Sequence, residues 1–135
     1  MAEYVFSTTT AGPIEEARER VIAALATEGF GVLTEIDVTT VMKSRLDKDL
    51  APYRILGACN PSISFRAITA EATIGALLPC NVVLREEAGQ IIVDFADPHS
   101  VLDLAETDAV KAIADEVRDS LNRVKDLVDA YRESS

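Results

Sequence analysis

Cysteine and histidine are scarce, at two and one among 135 residues. Two cysteines cannot build the disulfide framework of a small secreted scaffold. A chain of this length does not need one, since folding can bury roughly two-thirds of its extended surface. There is no CxxC, and Cys59, Cys80 and His99 fall one ligand short of a structural zinc set. Carboxylates could complete a set, but spacing specifies none, so no metal is expected. Long apolar runs are also missing. The best candidate, residues 75–84, is far short of a membrane span and contains Pro79 and Asn81. The opening Met1-Ala2-Glu3-Tyr4 has no basic stretch leading into an apolar run. A secretory signal is therefore not expected, and a cytoplasmic protein with reduced thiols is.

Linkers, like-charge blocks and solenoid-length repeats are absent, which predicts one domain over residues 1–135. No Walker motif, GxSxG or HExxH occurs, and Gly29-Phe30-Gly31 is not a nucleotide-binding loop. Basic residues are in deficit, 13 against 23 acidic, for a net charge of −10. Such a surface repels phosphate backbones and anionic lipid heads, so neither nucleic acid nor membrane is an expected partner. The hydrophobic content of 48% excludes a disordered chain.

Turn signals fall at short, regular intervals. Tyr4 to Thr9 reads as a strand, and Pro13 as the first residue of a helix carrying Ile14, Ala17, Val21 and Leu25 at helical spacing. Gly29 is placed to close that helix in a left-handed conformation. Glu16 and Arg20 form an i,i+4 pair on its outer face. Val32, Thr34, Ile36 and Val38 alternate as a half-buried strand does. Thr39 or Thr40 is a candidate cap for a short helix over residues 41–50. Tyr53 to Ala58 reads as a third strand, and residues 61–71 as a third helix. Residues 76–85 and 90–95 then form a hairpin through Glu86-Glu87-Ala88-Gly89. The order β-α-β-α-β-α-β-β-α predicts an α+β fold. Its two layers are a mainly antiparallel sheet of about five strands and helices on one face. Strand order does not follow from it.

The last element, from Asp108 to Tyr131, has apolar residues at Val110, Ala114, Val117, Leu121, Val124, Val128 and Tyr131. Alternating steps of four and three make a heptad seam. Such a seam can pair with its copy in a dimer or lie across the chain's own sheet. Ile113 and Leu127 widen the stripe, which suits the second arrangement.

Both cysteines directly precede asparagine, in Leu56-Gly57-Ala58-Cys59-Asn60-Pro61 and Leu77-Leu78-Pro79-Cys80-Asn81-Val82. In the first, Asn60 is a favoured helix N-cap and Pro61 a favoured first helical residue. Cys59 then sits where free backbone N–H groups and the helix dipole stabilise an anion. A thiolate there is a nucleophile or metal ligand. Against this stands the frequency of inert buried cysteines. In the second, Pro79 and Asn81 interrupt a strand pattern, which fits an edge strand or a bulge. A ligand pocket and a structural polar bracket explain Asn81 equally well. A Cys59–Cys80 disulfide is conceivable, though a cytosolic setting argues against it. His99, after Asp97-Pro98, reads as part of a solvated turn. Lys43 and Arg45 either attract an anionic ligand or line a solvated helix face.

At these residues the sequence resembles the domain of unknown function 302 family. The resemblance rests on Tyr53-Arg54-Ile55-Leu56-Gly57-Ala58-Cys59-Asn60-Pro61 and Leu77-Leu78-Pro79-Cys80-Asn81-Val82. Ile36-Asp37-Val38, Met42-Lys43 and Asp97-Pro98 support it. It implies a small two-layer α/β protein that tends to form homodimers, and it implies no established activity.

The leading expectation is a homodimer whose shallow pocket, floored by the two Cys-Asn segments, binds a small molecule. Cys59, Asn60, Cys80 and Asn81 are its candidate residues, with Lys43 and Tyr53 as further lining. The alternatives are thiol-redox chemistry by Cys59 and Cys80, or motifs that only hold the fold together. Neither a reaction nor a cofactor is specified.

Overall fold

The computed structural model describes residues 2–131. In chain order its elements are β1 (Val5–Thr10), α1 (Ile14–Thr27), β2 (Gly31–Asp37), α2 (Val38–Leu46), β3 (Tyr53–Cys59) and α3 (Pro61–Ala70). A 3-10 turn (Ala72–Leu77), β4 (Cys80–Glu87), β5 (Gln90–Ala96), α4 (Pro98–Leu102) and α5 (Asp108–Ala130) complete it. The strands form one five-stranded sheet in the order β1-β5-β4-β3-β2, antiparallel throughout. The α+β reading of the sequence therefore holds.

Side chains alternate across this sheet, so register decides which face each residue serves. One row runs Phe6–Phe95–Val82–Leu56–Glu35 and the next Thr8–Val93–Leu84–Arg54–Asp37. Their central apolar residues are fully buried, each worth roughly 1.5–3 kcal/mol over exposure. α1 covers this face through Ala17, Val21 and Leu25, and α5 through Val110, Val117, Leu121 and Val124. The heptad seam thus lies across the chain's own sheet. Thr8 Oγ1 donates to Asp129 at 2.6 Å and ties the far end of α5 to β1. The alternate row, Ser7–Asp94–Val83–Ile55–Ile36, lies on the opposite face, which none of these helices covers.

Local chemistry moves several boundaries from their expected places. Asp37 caps α2, accepting from Thr40 N at 3.1 Å, so the helix starts at Val38 before either threonine could cap it. It ends at Asp47, which is left-handed at φ 55°, rather than continuing to residue 50. Pro13 precedes α1 as its N-cap instead of opening it, while Gly29 does adopt the left-handed conformation at φ 83°. Arg20 does not serve Glu16. Its guanidinium donates to Thr10 Oγ1 at 3.1 Å and stacks 4.0 Å above the Tyr131 ring. Residues 76–77, expected to open the fourth strand, belong to the 3-10 turn, and β4 is central rather than an edge. Pro79 stands just before β4, where its missing N–H interrupts no ladder bond. The irregularity lies in β2 instead, where the register slips between Val32 and Thr34 and Leu33 is the extra residue. The expected turn around His99 is the short helix α4.

The β4–β5 hairpin closes on the Glu87–Gln90 pair. Its two central residues, Ala88 at φ 53° and Gly89 at φ 80°, both have positive φ, as a type I′ turn demands. Alanine bears that conformation at a cost of roughly 1–2 kcal/mol, which asparagine largely avoids. Ala88→Asn should therefore raise unfolding stability by about 0.5–1 kcal/mol in chemical denaturation. An unchanged or lowered midpoint would contradict this account of the turn.

Candidate functional site

The two Cys-Asn segments meet where β3 ends and β4 begins. Ala58 and Cys80 are cross-strand partners, and Cys59 is the next residue along β3. Gly57 makes the close approach possible, because a Cβ there would collide with Thr34 Oγ1 and Pro79 Cγ. Asn60 then caps α3, its Oδ1 accepting from Ile63 N at 3.4 Å, and Pro61 opens the helix. Its Nδ2 donates to Glu28 O at 3.2 Å, so one amide joins the α1–β2 turn to α3. Glycine at 29 suits that contact, since a Cβ there would stand 3.0 Å from Asn60 Nδ2.

Both cysteines are free and border one cavity of about 330 Å³. Its walls come from Phe30 and Leu33 on one side and from Ile63, Ser64 and Ala67 of α3 on another. Gly75 of the 3-10 turn, Leu102 of α4, and Ile113 and Val117 of α5 close it. Glu71 holds this frame together. Its carboxylate accepts from Thr107 N and Thr107 Oγ1, each at 2.9 Å, and from Glu106 N at 3.1 Å. These bonds, the Thr107 backbone N–H foremost, hold the Glu71 carboxyl below the usual carboxylate range. The 3-10 turn is thereby tied to the start of α5.

The chemistry of the walls differs from the expected anion site. Cys59 Sγ lies 3.0 Å from Ser64 Oγ. Cys80 is surrounded by hydrocarbon, and burial, with a smaller contribution from nearby Cys59, pushes its thiol up to about 11. Among the described residues no lysine or arginine lines the cavity. The sulfurs converge as the sequence implied, on a space lined mostly by apolar side chains and bordered by the start of α3.

Of the remaining candidates, Asn60 borders this cavity and Asn81 does not. Asn81 lines a second cavity of about 210 Å³ beside Ala96 and Asp97. Lys43 is on the exposed α2, paired with Asp47 at 3.0 Å and Asp49 at 3.3 Å. Tyr53 lies on the sheet face opposite α1 and α5, in a separate cavity of about 610 Å³ with Val83, Arg85 and Asp94. His99 stays outside both cavities, with Nε2 2.9 Å from Asp115 and Nδ1 3.6 Å from Asp103. Among the described residues no three His, Cys, Asp or Glu side chains form a metal-ligand group. No helix among them is long and apolar enough to cross a membrane. Sequence reasoning missed Ser64, Gly75 and Leu102. The only available signal was helical spacing, which sets Ile63 and Ala67 on the inner face of α3 and Ile113 and Val117 in the α5 stripe.

The state of Cys80 is open to titration. The fold favours its neutral thiol, so the stability this confers is complete below the thiol's ordinary range and lost as pH climbs towards 11. Alkylation by iodoacetamide, followed by peptide mass mapping, should show Cys80 reacting with a midpoint near pH 11. Cys80→Ala should flatten the alkaline fall in stability. A midpoint at the value of a free thiol, about 8.5, would mean that water reaches the sulfur.

Comparison with known proteins agrees with this fold. Residues 6–128 match the family described as Domain of unknown function DUF302. The fold is similar to the crystal structure of the uncharacterized conserved protein DUF302 from Bacillus stearothermophilus. The two share 27% identity at a TM-score of 0.86, over 94% of this chain and 99% of that one. A search of curated proteins finds no match. With its two Cys-Asn segments joined at the end of one antiparallel sheet, the chain belongs to the DUF302 family.

Proposed function

We propose that this protein binds a small, largely apolar molecule in the cavity where Cys59 and Cys80 meet, and that it works as a cytoplasmic homodimer. The observation that carries the binding reading is the cavity itself. About 330 Å³ of space walled by hydrocarbon, with a few polar atoms at Cys59, Ser64 and Thr34, is the form of a small-molecule site. Leu33, pushed out by the β2 bulge, is 68% exposed at its rim, and Ile68 beside it is 46% exposed. Apolar side chains left in water at a cavity mouth favour an apolar visitor. Thiol–disulfide cycling is the weaker alternative, because burial keeps Cys80 a neutral thiol at working pH. Two free thiols bordering one cavity suit the reducing conditions of the cytoplasm.

N-phenyl-1-naphthylamine, a neutral apolar fluorophore, should bind with enhanced emission. A Cβ at Gly75 meets nothing within 4 Å, so Gly75→Leu projects into open space at the cavity wall without a clash. It should weaken the fluorophore at least about tenfold, roughly 1.4 kcal/mol, while the melting temperature holds. Equal binding by both proteins, or none by either, would remove this cavity as the site.

The homodimer reading rests on the uncovered sheet face. Half-buried Ile55, Val83 and Ile92 lie there beside Arg85, whose Nε donates to Asp94 at 2.7 Å. A patch carrying both charge signs within an apolar field can meet its own copy about a two-fold axis, acid against base. Sedimentation should give twice the chain mass, and Val83→Glu should return it to one chain by burying an unpaired charge. A wild-type protein that sediments as one chain would discard the dimer.

A further inference from the structure

We propose that the two copies of the homodimer exchange arms, α2 of each docking into the other's cavity of about 610 Å³ on the sheet face opposite α1 and α5. This inference rests on the homodimer reading and adds which parts of the two copies meet. α2 is a helix without cover. None of its nine residues is buried, and Leu46 at its tip is 62% exposed. A free helix this short is marginal in water, and packing of an apolar face is what holds such a helix in a protein. Val38, Val41, Met42 and Leu46 supply that face at helical spacing.

The cavity is the matching defect. Val5, Tyr53 and Val83 line it, and no residue of α2 does, so the chain's own arm leaves it open. Two such faces meeting flat would enclose two empty spaces, and a void of this size forfeits the dispersion contacts of its lining. Side chains of the other copy must therefore enter. Tyr53 borders this cavity and also, with Thr39 and Thr40, the space at the foot of α2. A two-fold axis passing near Tyr53 thus carries the arm of each copy to the cavity of the other.

Charge identifies the occupant as a second copy. In a chain of net charge −10, residues 38–50 hold three bases and two acids. Asp47 and Asp49 both serve Lys43, which leaves Arg45 and Lys48 without an acidic partner among the described residues. Around the cavity the balance is reversed. Arg85 is the one base there, against Asp94, Glu87 beside it at 3.2 Å, and Glu3 between the lining residues Ala2 and Tyr4. A basic arm and an acidic rim that belong to one chain without meeting inside it are complementary between copies.

Two charge-reversed variants test the exchange by sedimentation. One reverses the arm, with Arg45→Glu and Lys48→Glu, and the other the rim, with Glu3→Lys and Glu87→Lys. All four residues are exposed, so both variants should keep the circular dichroism of the wild type. Each alone should dimerise at least about tenfold more weakly than the wild type. The rim variant should do so although replacing two acids by two bases lowers the net charge from −10 to −6 and with it the general repulsion between copies. Mixed in equal amounts, the two should recover the wild-type affinity, since an acidic arm then meets a basic rim and a basic arm an acidic rim. If either variant alone dimerises like the wild type, or if mixing restores nothing, the exchange of arms falls while the dimer stands. A wild type that sediments as one chain overturns both.

Discussion

Thr34 and Pro79 crowd the space that a side chain at residue 57 would fill, and the approach of β3 to β4 depends on that space being free. With glycine there, Ala58 faces Cys80 across the ladder, and the chain can leave β3 at Cys59 and enter α3 at once. A Cβ at this position meets a threonine side chain held on β2 and a proline ring, neither able to swing away as a long flexible side chain does. Displacing either moves the start of β4 or the bulge of β2. Cys80, Pro79 and Leu33 move with them, and these residues bound the cavity. The floor of the site is in this sense a packing consequence of one missing methyl group.

The sheet divides its labour between faces. One is closed by α1 and α5, whose apolar stripes meet Leu56, Val82, Leu84 and Phe95. α3 and the 3-10 turn stand further along, near the end of the sheet, and their packing against α5 leaves a gap instead of filling it. An apolar gap of this size costs stability, since its lining loses dispersion contacts. A small molecule that restores those contacts stabilises the fold by mass action. The opposite face carries half-buried isoleucine and valine with an Arg85–Asp94 pair at its centre, a surface suited to its own copy. The proposed ligand and the proposed partner copy thus have separate surfaces.

Period and capping made most of the fold legible in the sequence. The steps of four and three in α5 and the Asn60-Pro61 start of α3 appear where their physics puts them, whereas the bulge at Leu33 breaks the alternation expected of β2. Boundaries moved where two capping groups competed. Asp37 could reach Thr40 N and so forestalled the threonines at the start of α2. Residues 76 and 77 read as strand because their apolar content is indifferent to period, and the Glu71 anchorage at the start of the 3-10 turn depends on Thr107, a partner 36 residues away. Strand order was equally hidden, because it is decided by register between distant segments. At the site, the cysteines could be found from composition, whereas Ser64, Gly75 and Leu102 could not. Their membership depends on how α3 and α4 lean on α5, and no local pattern records that.

The repeated dipeptide shows why a shared sequence need not mean a shared role. Asn60 precedes a proline and a helix start, where unpaired N–H groups draw its carbonyl oxygen into a cap. Its N–H₂ gives one N–H to Glu28 O, so both ends of the amide are engaged in the fold. Asn81 stands within β4, just past the end of the β4–β5 ladder, where no helix start draws its side chain into a cap. The cysteines diverge in the same way. Cys59 has a hydroxyl at 3.0 Å, whereas Cys80 has hydrocarbon that drives its thiol up to about 11. Backbone context consumes one polar group and frees the other. It also turns two thiols that look equivalent in the sequence into a hydrogen-bonded group and a neutral wall between two cavities.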